Sequence, residues 1–414
     1  MSYSFKGGVV TNNLKELTAE KFSEKMPTPE FLYYPLCMNL NNRATLANVS
    51  STIEDDFCIC RPVVKPGDEV FMGQVIGISD DENELPLHST VSGMVSEIRK
   101  VRHQNGGAVD TMIVKNDFKD TAFENIAPTQ GFTKMPVDEK LALLKSFGIC
   151  GMGGTGYPTY LKIRDAVDKT QFLIINGIEC EPILTSDHRA MLEHSSRLIK
   201  GIEIVMSILG IDQAFFAVAA DKHDVIKKHK NLSNEKGSIV LRVLKAKYPQ
   251  GDERILANTV LGLNINCREM PQDKRCLVLN VQTVIQIAAS FLTGMPCTQR
   301  IVTLSGTGYG NSKNAIIRIG TLFEDVISFL GGFKTDKYKL IAGGPIIGFE
   351  QTDLLAPVMA YTKGLLSIDE TKLSKSYTSD CIRCGRCAHV CPARLTPMYI
   401  NQFISKDEIG RAHV

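Results

Sequence analysis

The run Cys381-Ile-Arg-Cys384-Gly-Arg-Cys387-Ala-His-Val-Cys391-Pro392 constrains the end of this chain more tightly than any other feature. Its C-x2-C-x2-C-x3-C-P spacing puts thiolates on one tight loop, where three reach three iron corners of a cubane. The fourth steps away, and in paired-cluster proteins it serves the other cluster. Proline after that cysteine ends the local helix and turns the chain. Structural thiols rarely fall at such intervals. Cys381, Cys384, Cys387 and Cys391 are therefore expected to bind a 4Fe-4S cluster, and the chain to carry electrons.

At 414 residues the chain has room for roughly two to four domains. A formal net charge of +2 leaves no electrostatic footprint for nucleic acid. The start lacks a basic segment followed by an apolar one, so no secretion signal is expected. No window reaches the roughly 18 apolar residues of a membrane-spanning helix. Twelve cysteines in an unexported chain read as cytoplasmic, reduced and partly metal-binding. Cys267, Cys276 and Cys297 are scattered and read as small buried hydrophobes. Cys58-Ile-Cys60 has no partner pair nearby, and neither it nor Cys37 receives a role.

The texture of the sequence divides it into a multidomain α/β protein. Residues 1–50 read as an irregular leader. Residues 51–117 carry short alternating strands between glycines and resemble a biotinyl/lipoyl-type sandwich-barrel hybrid. Carriers of that type hold a lysine at a hairpin tip. The corresponding stretch here, Pro86-Leu-His-Ser-Thr-Val, has none, so the domain is expected to dock or support, with His88 a turn residue. Residues 118–136 read as a linker. From 137 to 299, helical and strand patterns alternate, which predicts a Rossmann-like, largely parallel sheet. One amphipathic helix is expected from Thr185 to about Leu209. Residues 300–360 form a small α+β unit, and 361–407 a helical tail around the cysteines.

The densest glycine segment is Gly148-Ile-Cys-Gly151-Met-Gly153-Gly154-Thr-Gly156-Tyr-Pro158. Glycines let a backbone approach a planar or phosphorylated ligand closely. A helix precedes this loop and no Gly-Lys-Ser/Thr follows, so it is neither a dinucleotide fingerprint nor a Walker loop. Just past a predicted strand lies Asn176-Gly-Ile-Glu179-Cys-Glu181-Pro182, where open α/β sheets hold ligands. These acids suit ribose hydroxyls or a redox ring, and equally suit a solvated loop. Lys162 follows the glycine loop on a helix and suits a phosphate or a ring oxygen, or a solvated surface.

With these residues in view, the chain resembles the C subunit of Rnf electron-transport complexes along nearly its whole length. It resembles more distantly the NADH-oxidising flavoprotein subunit of respiratory complex I. The likeness is carried by Phe5-Lys-Gly-Gly8, the sandwich block, the glycine loop and Asn176-Gly-x-Glu-x-Glu-Pro. It continues in Thr185-Ser-Asp-His-Arg189, Lys247-Tyr-Pro-Gln-Gly251 and the cysteine run. The resemblance implies FMN, NADH and 4Fe-4S clusters, two in the full family pattern. It implies that Gly151, Gly153, Gly154 and Gly156 line the flavin. Lys162, Asn176, Glu179, Tyr248, Gly251 and Asn280 would contact FMN, and Glu253 would sit toward the nicotinamide. It also implies a soluble-ligand-binding β-grasp (SLBB-like) at 300–360 and a ferredoxin-like tail. Ile178 stands where the complex I version has an acid.

Rnf C subunits carry a second cysteine motif beyond the first. Glu408-Ile-Gly-Arg-Ala-His-Val414 matches the translation of a common sequencing adapter. The native gene is therefore expected to continue past about Asp407, and each cluster to need ligands from the missing motif. The expected partners are the other subunits of an Rnf-type membrane complex, reached from its cytoplasmic side. A soluble donor to a cytosolic reductase, such as D-proline reductase, and a docking scaffold with a dead nucleotide site are the alternatives.

Overall fold

Four short apolar runs separated by amphipathic helices close into one parallel sheet. The computed structural model describes residues 3–11, 14–39, 57–81, 83–132, 134–232, 237–266, 268–372 and 380–413. In chain order the strands are β1 (Phe172–Gly177), β2 (Ala214–Ala219), β3 (Ile239–Leu244) and β4 (Cys276–Asn280). They lie in the order β3-β2-β1-β4, all parallel. The chain thus winds one way from β1 to β3 and returns to the other side of β1 with β4. That reversal opens a crevice at the carboxyl ends of β1 and β4. In register, Asn176 pairs with Asn280 at its mouth.

Every residue of β2 is buried, as expected of a central strand covered on both faces. The helices Ser195–Leu209 and Val281–Thr293 pack on one face, backbone to backbone: a Cβ at Gly201 would lie 2.1 Å from the Val284 carbonyl oxygen. The long helix expected from 185 to 209 is two helices, Ser186–Glu193 and Ser195–Leu209, broken at His194 (φ −118°, ψ 32°). Both halves keep the same apolar period, so the periodicity does not reveal the break.

Among the described residues the sandwich consists of two four-stranded sheets. One of them includes Phe31–Pro35, antiparallel to Ala108–Asn116, with Leu32 and Tyr34 in its core. The stretch read as an irregular leader is therefore partly structural. Its Glu24–Lys25 strand also extends the sheet of the third unit, and Tyr3 bridges to Leu244. Residues 118–136 carry no named helix or strand among the described residues, but they pack on the rest of the molecule through the Met72–Ala122 bridge, the Asp120–Arg318 pair and the Phe132–Phe291 contact.

The third unit orders its strands as Lys313–Arg318, Gln299–Ser305, Gly364–Asp369, Tyr338–Ala342 and Phe349–Gln351. The helix Phe323–Leu330 supplies Phe323, Val326, Ile327 and Leu330 to its core. Gly364–Asp369, which the boundary at 360 assigns to the tail, is central to this sheet, parallel to Gln299–Ser305. Among the described residues the tail holds two short α-helices, Arg386–Val390 and Pro397–Ile404, and a 3-10 helix, Ile409–His413.

Gly201 supplies a test of the helix crossing. Alanine gains about 1 kcal/mol of helix propensity, but overlap with a backbone oxygen costs about 1–3 kcal/mol or more. Gly201→Ala is expected to lower the urea midpoint of unfolding. A raised midpoint would contradict the packing.

Candidate functional site

The exit of β1 is built from backbone groups held by side chains. Asn176 Oδ1 accepts from the Ile178 N–H (3.2 Å), and its Nδ2 donates to the Gly251 carbonyl (2.9 Å). Glu179 adopts left-handed backbone geometry (φ 47°), which a non-glycine residue keeps only when its surroundings enforce it. Two buried ammonium groups do so. Lys222 Nζ donates to the Ile178 carbonyl (2.9 Å), and Lys15 Nζ donates to the Glu179 carbonyl. Burial, reinforced by the neighbouring Lys222 charge, pulls Lys15 down to about 8. The Glu179 carboxylate turns inward and caps the helix Ser186–Glu193, accepting from the N–H groups of Asp187 (2.7 Å) and His188 (3.2 Å). An anion there meets the positive end of the helix dipole.

The glycine loop faces this exit from across the crevice. Thr283 Oγ1 accepts from the Met152 N–H (2.9 Å), and buried Arg300 donates to the Met152 and Ala360 carbonyls. A Cβ at Gly153 would stand 3.2 Å from Asn280 Cβ, so the loop lies directly on the end of β4. Gly156 abuts Tyr361, and Gly154 has only the Lys363 stem near it. Next to the loop, Lys162 pairs with Glu253 at 2.5 Å. Gly251 donates its N–H to Cys180 Sγ (3.3 Å), lacing the segment of Tyr248, Gly251 and Glu253 onto the β1 exit.

Between them lies a buried charge network. Asp187, 1% exposed, receives Lys363 (3.0 Å), Asn280 Nδ2 (2.8 Å) and Gln282 Nε2 (2.8 Å). Burial pushes the Asp187 carboxyl up, but Lys363 and the hydrogen bonds outweigh it and hold the group below the usual carboxylate range. Burial likewise works against the Lys363 ammonium, and Asp187 and Glu179 raise it past that cost. Asp187, Lys363, Lys15 and Lys222 escape the reading of single motifs. Asp187 stands only as part of Thr185-Ser-Asp-His-Arg189, and nothing local marks the lysines. Glu181 accepts from the Ile346 N–H (3.0 Å), and burial raises its carboxyl.

The structure thus gathers the loop glycines, Asn176, Glu179, Gly251 and Asn280 around one crevice, with the Lys162–Glu253 pair and Tyr248 on its edge. Glu179 departs from expectation, since its carboxylate serves the helix terminus. The Oε2 of Glu253 and the Oε1 of Glu181 are buried without a partner among the described residues. Buried carboxylate oxygens are rarely left so.

Cys381, Cys384 and Cys387 are exposed free thiols, and Cys391 is half-buried. Among the described residues, no three His, Cys, Asp or Glu side chains converge as a metal cage. Burial pushes the Cys276 and Cys297 thiols up to about 12; Cys276 is a buried core residue as read, whereas Cys297 is only half-buried. Cys37 and Cys60 are buried too. Cys267 and the Cys58 side chain lie outside the described residues. No helix among them is long and apolar enough to cross a membrane.

Residues 58–119 match the family described as the RnfC barrel sandwich hybrid domain, and residues 144–289 match the Nuo51 FMN-binding domain. The C subunit of the proton-translocating ferredoxin:NAD(+) oxidoreductase complex of Clostridium ljungdahlii is 35% identical over 408 residues, covering 98% of this chain and 86% of that protein. This chain belongs to the family of Rnf complex C subunits. Another member, the Na(+)-translocating counterpart of Acetobacterium woodii, is 32% identical over 98% of this chain and 88% of its own length. The C subunit of the ion-translocating oxidoreductase complex of Rhodobacter capsulatus is 30% identical over 99% of this chain and 77% of its own. Among solved structures, an NAD+-reducing [NiFe]-hydrogenase in the H2-reduced state superposes with a TM-score of 0.51 at 18% identity. It matches 68% of this chain and 55% of that one, a likeness of fold. Family membership makes the chain a redox subunit with an FMN-binding domain.

The Asp187–Lys363 pair sets a stability window. Asp187 is lowered from 3.8, so its contribution is complete above that value and lost as pH falls through its native one. Lys363 is raised from 10.5, so its contribution is complete below that value and lost as pH rises further. Asp187→Asn leaves a buried ammonium without its counter-charge and is expected to cost about 3 kcal/mol in urea unfolding at neutral pH. It should also flatten the acid limb. A variant as stable as the parent would contradict the network.

Proposed function

We propose that this chain oxidises NADH through bound FMN and passes single electrons to 4Fe-4S centres and onward to partner subunits of an Rnf-type complex. The observation that carries the reading is the crevice at the ends of β1 and β4, with the glycine loop resting on Asn280. FMN, when bound, takes two electrons from a nicotinamide and releases them one at a time to one-electron centres. The residues present fit that group. A glycine-lined wall admits a flat ring, and the unpartnered oxygens of Glu181 and Glu253 await donors.

Gly151, Gly153, Gly154 and Gly156 are assigned to the wall of the flavin site. Asn176, Gly251 and Asn280 present amide and backbone groups to it, and Tyr248 bounds it. Lys162 places a cation at its edge, held by Glu253, which is assigned to the nicotinamide side. Glu179 acts on this site through the turn it stabilises. The donor set of the tail also fits its group, because exposed thiols free of disulfides are the ligands a cubane needs. Cys381, Cys384, Cys387 and Cys391 would hold it, together with the thiolates of any partner motif. The strand order of the third unit supports its reading as a ligand-binding β-grasp. The names of the relatives, ferredoxin:NAD(+) oxidoreductase and ion-translocating complexes, favour this assembly over a soluble reductase. The chain would then lie on the cytoplasmic side of the membrane, peripheral to it.

Purified chain is expected to quench FMN fluorescence at one equivalent and to reduce ferricyanide with NADH. Gly154→Val is expected to weaken FMN binding about tenfold or more, since its side chain would fill the wall, and to lower the thermal midpoint as well, because Gly154 holds φ 115°. Cys384→Ser should abolish the visible absorbance gained on iron and sulfide reconstitution and leave FMN titration untouched. Failure of the parent to bind FMN would refute the reading.

A further inference from the structure

The opening motif Phe5-Lys6-Gly7-Gly8 lies outside the flavin crevice, yet it touches two parts of the molecule at once. Toward the tail, the Gly8 N–H donates to the Val390 carbonyl at 2.8 Å. A Cβ on Gly7 would lie 2.8 Å from that same oxygen and 3.6 Å from the Cys391 carbonyl carbon. Toward the α/β domain, Val9 and Tyr248 exchange backbone hydrogen bonds of 2.9 and 2.8 Å. Lys247 Nζ donates to the carbonyls of Phe5 (2.6 Å) and Gly7 (2.7 Å) and stands 3.8 Å from the Phe5 ring centroid. Gly7 takes φ 87° and Gly8 φ 81°. Both conformations suit glycine, and the contact at Gly7 leaves no room for a side chain.

We propose that Phe5–Gly8 is a clasp that docks the cysteine segment onto the α/β domain beside Tyr248. It connects the last cysteine of the motif to the edge of the flavin crevice through hydrogen-bonded backbone. The path runs from Val390 to Gly8, along the chain to Val9, and across to Tyr248. Cys391, against the clasp, is half-buried, whereas Cys381, Cys384 and Cys387 are exposed. Hydrogen bonds from one segment to both Val390 and Tyr248 hold the two parts at one separation. Electron transfer falls steeply with distance, so fixing the separation is what the clasp contributes. Phe5–Gly8 is thus a positioning element, and its purpose rests on the flavin-to-cluster reading above.

The test is hydrogen–deuterium exchange on the full chain loaded with FMN, in the parent, Gly7→Val and Phe5→Ala. Gly7→Val adds a branched side chain where the Val390 carbonyl lies. Amides at Gly8 and across 386–391 are expected to exchange about tenfold faster, with strand Phe172–Gly177 and FMN affinity unchanged. Phe5→Ala removes the ring beneath Lys247 without adding bulk, leaving its bonds to the Phe5 and Gly7 carbonyls, and is expected to give the same loss in smaller measure, which separates undocking from misfolding. In chain reconstituted with iron and sulfide, the undocked variants should keep NADH–ferricyanide reduction within about twofold. Bleaching of the cluster by NADH should slow about tenfold or more. Parental protection across 386–391 in both variants, or parental bleaching from an undocked segment, would overturn the proposal. A parent that bound FMN but bleached no cluster would count against the functional reading, while exchange alone would still decide the docking.

Discussion

The register of two parallel strands governs the rest of the molecule. Because Asn176 of β1 stands opposite Asn280 of β4, the two side chains emerge together where the sheet reverses its winding. Each then serves a different neighbour. Asn176 fixes the Gly251 carbonyl, and Asn280 donates to Asp187 while its own oxygen caps the helix that begins at Val281. A slip of one residue would turn both amides to the opposite face. The glycine loop would lose the surface it rests on, and Asp187 would lose a donor.

The second constraint is the cost of burying charge. Lys15, Lys222, Lys363, Arg300, Glu179 and Asp187 are drawn together beneath the crevice. Backbone carbonyls, helix N–H groups or an opposite charge meet most of their donors and acceptors, with Arg300 Nη2 buried without a partner among the described residues. Those partners come from segments distant in sequence. Lys15 and Glu179 are 164 residues apart, and Asp187 and Lys363 belong to different units. The site thus forms only when the first residues of the chain, the parallel sheet and the third unit are all in place. The same opening segment that delivers Lys15 also pairs at Tyr3, Val9, Glu24–Lys25 and Phe31–Pro35. It works as a strap along the whole molecule.

Much of this is legible in the residues. Glycine density marks the loop, apolar runs mark the strands, and Asn-Gly-x-Glu-x-Glu-Pro marks the mouth of the crevice. These signals are local, and local patterning is what periodicity and turn chemistry encode. The misses share one cause, which is stabilisation by partners far along the chain. Lys15 has no local sign of a buried partner. Phe31–Pro35 alternates too briefly to stand alone as a strand, and Gly364–Asp369 looks like the start of the tail until Gln299–Ser305 takes it as a neighbour. Glu179 stands out in its motif, but its carboxylate is claimed by a helix terminus that begins seven residues later. Only the folded turn reveals that.

The central claim is that a flavin occupies the crevice between the glycine loop and the β1 exit. Photo-cross-linking with an azido-substituted flavin mononucleotide, followed by peptide mapping, addresses it most directly. Labels are expected on residues 148–156 and 248–254. A different hollow of about 390 Å³ lies on the third unit, ringed by Lys21, Lys334 and Lys372 beside the Gly306–Ser312 turn. Labelling confined to that turn, with the glycine loop untouched, would contradict the account.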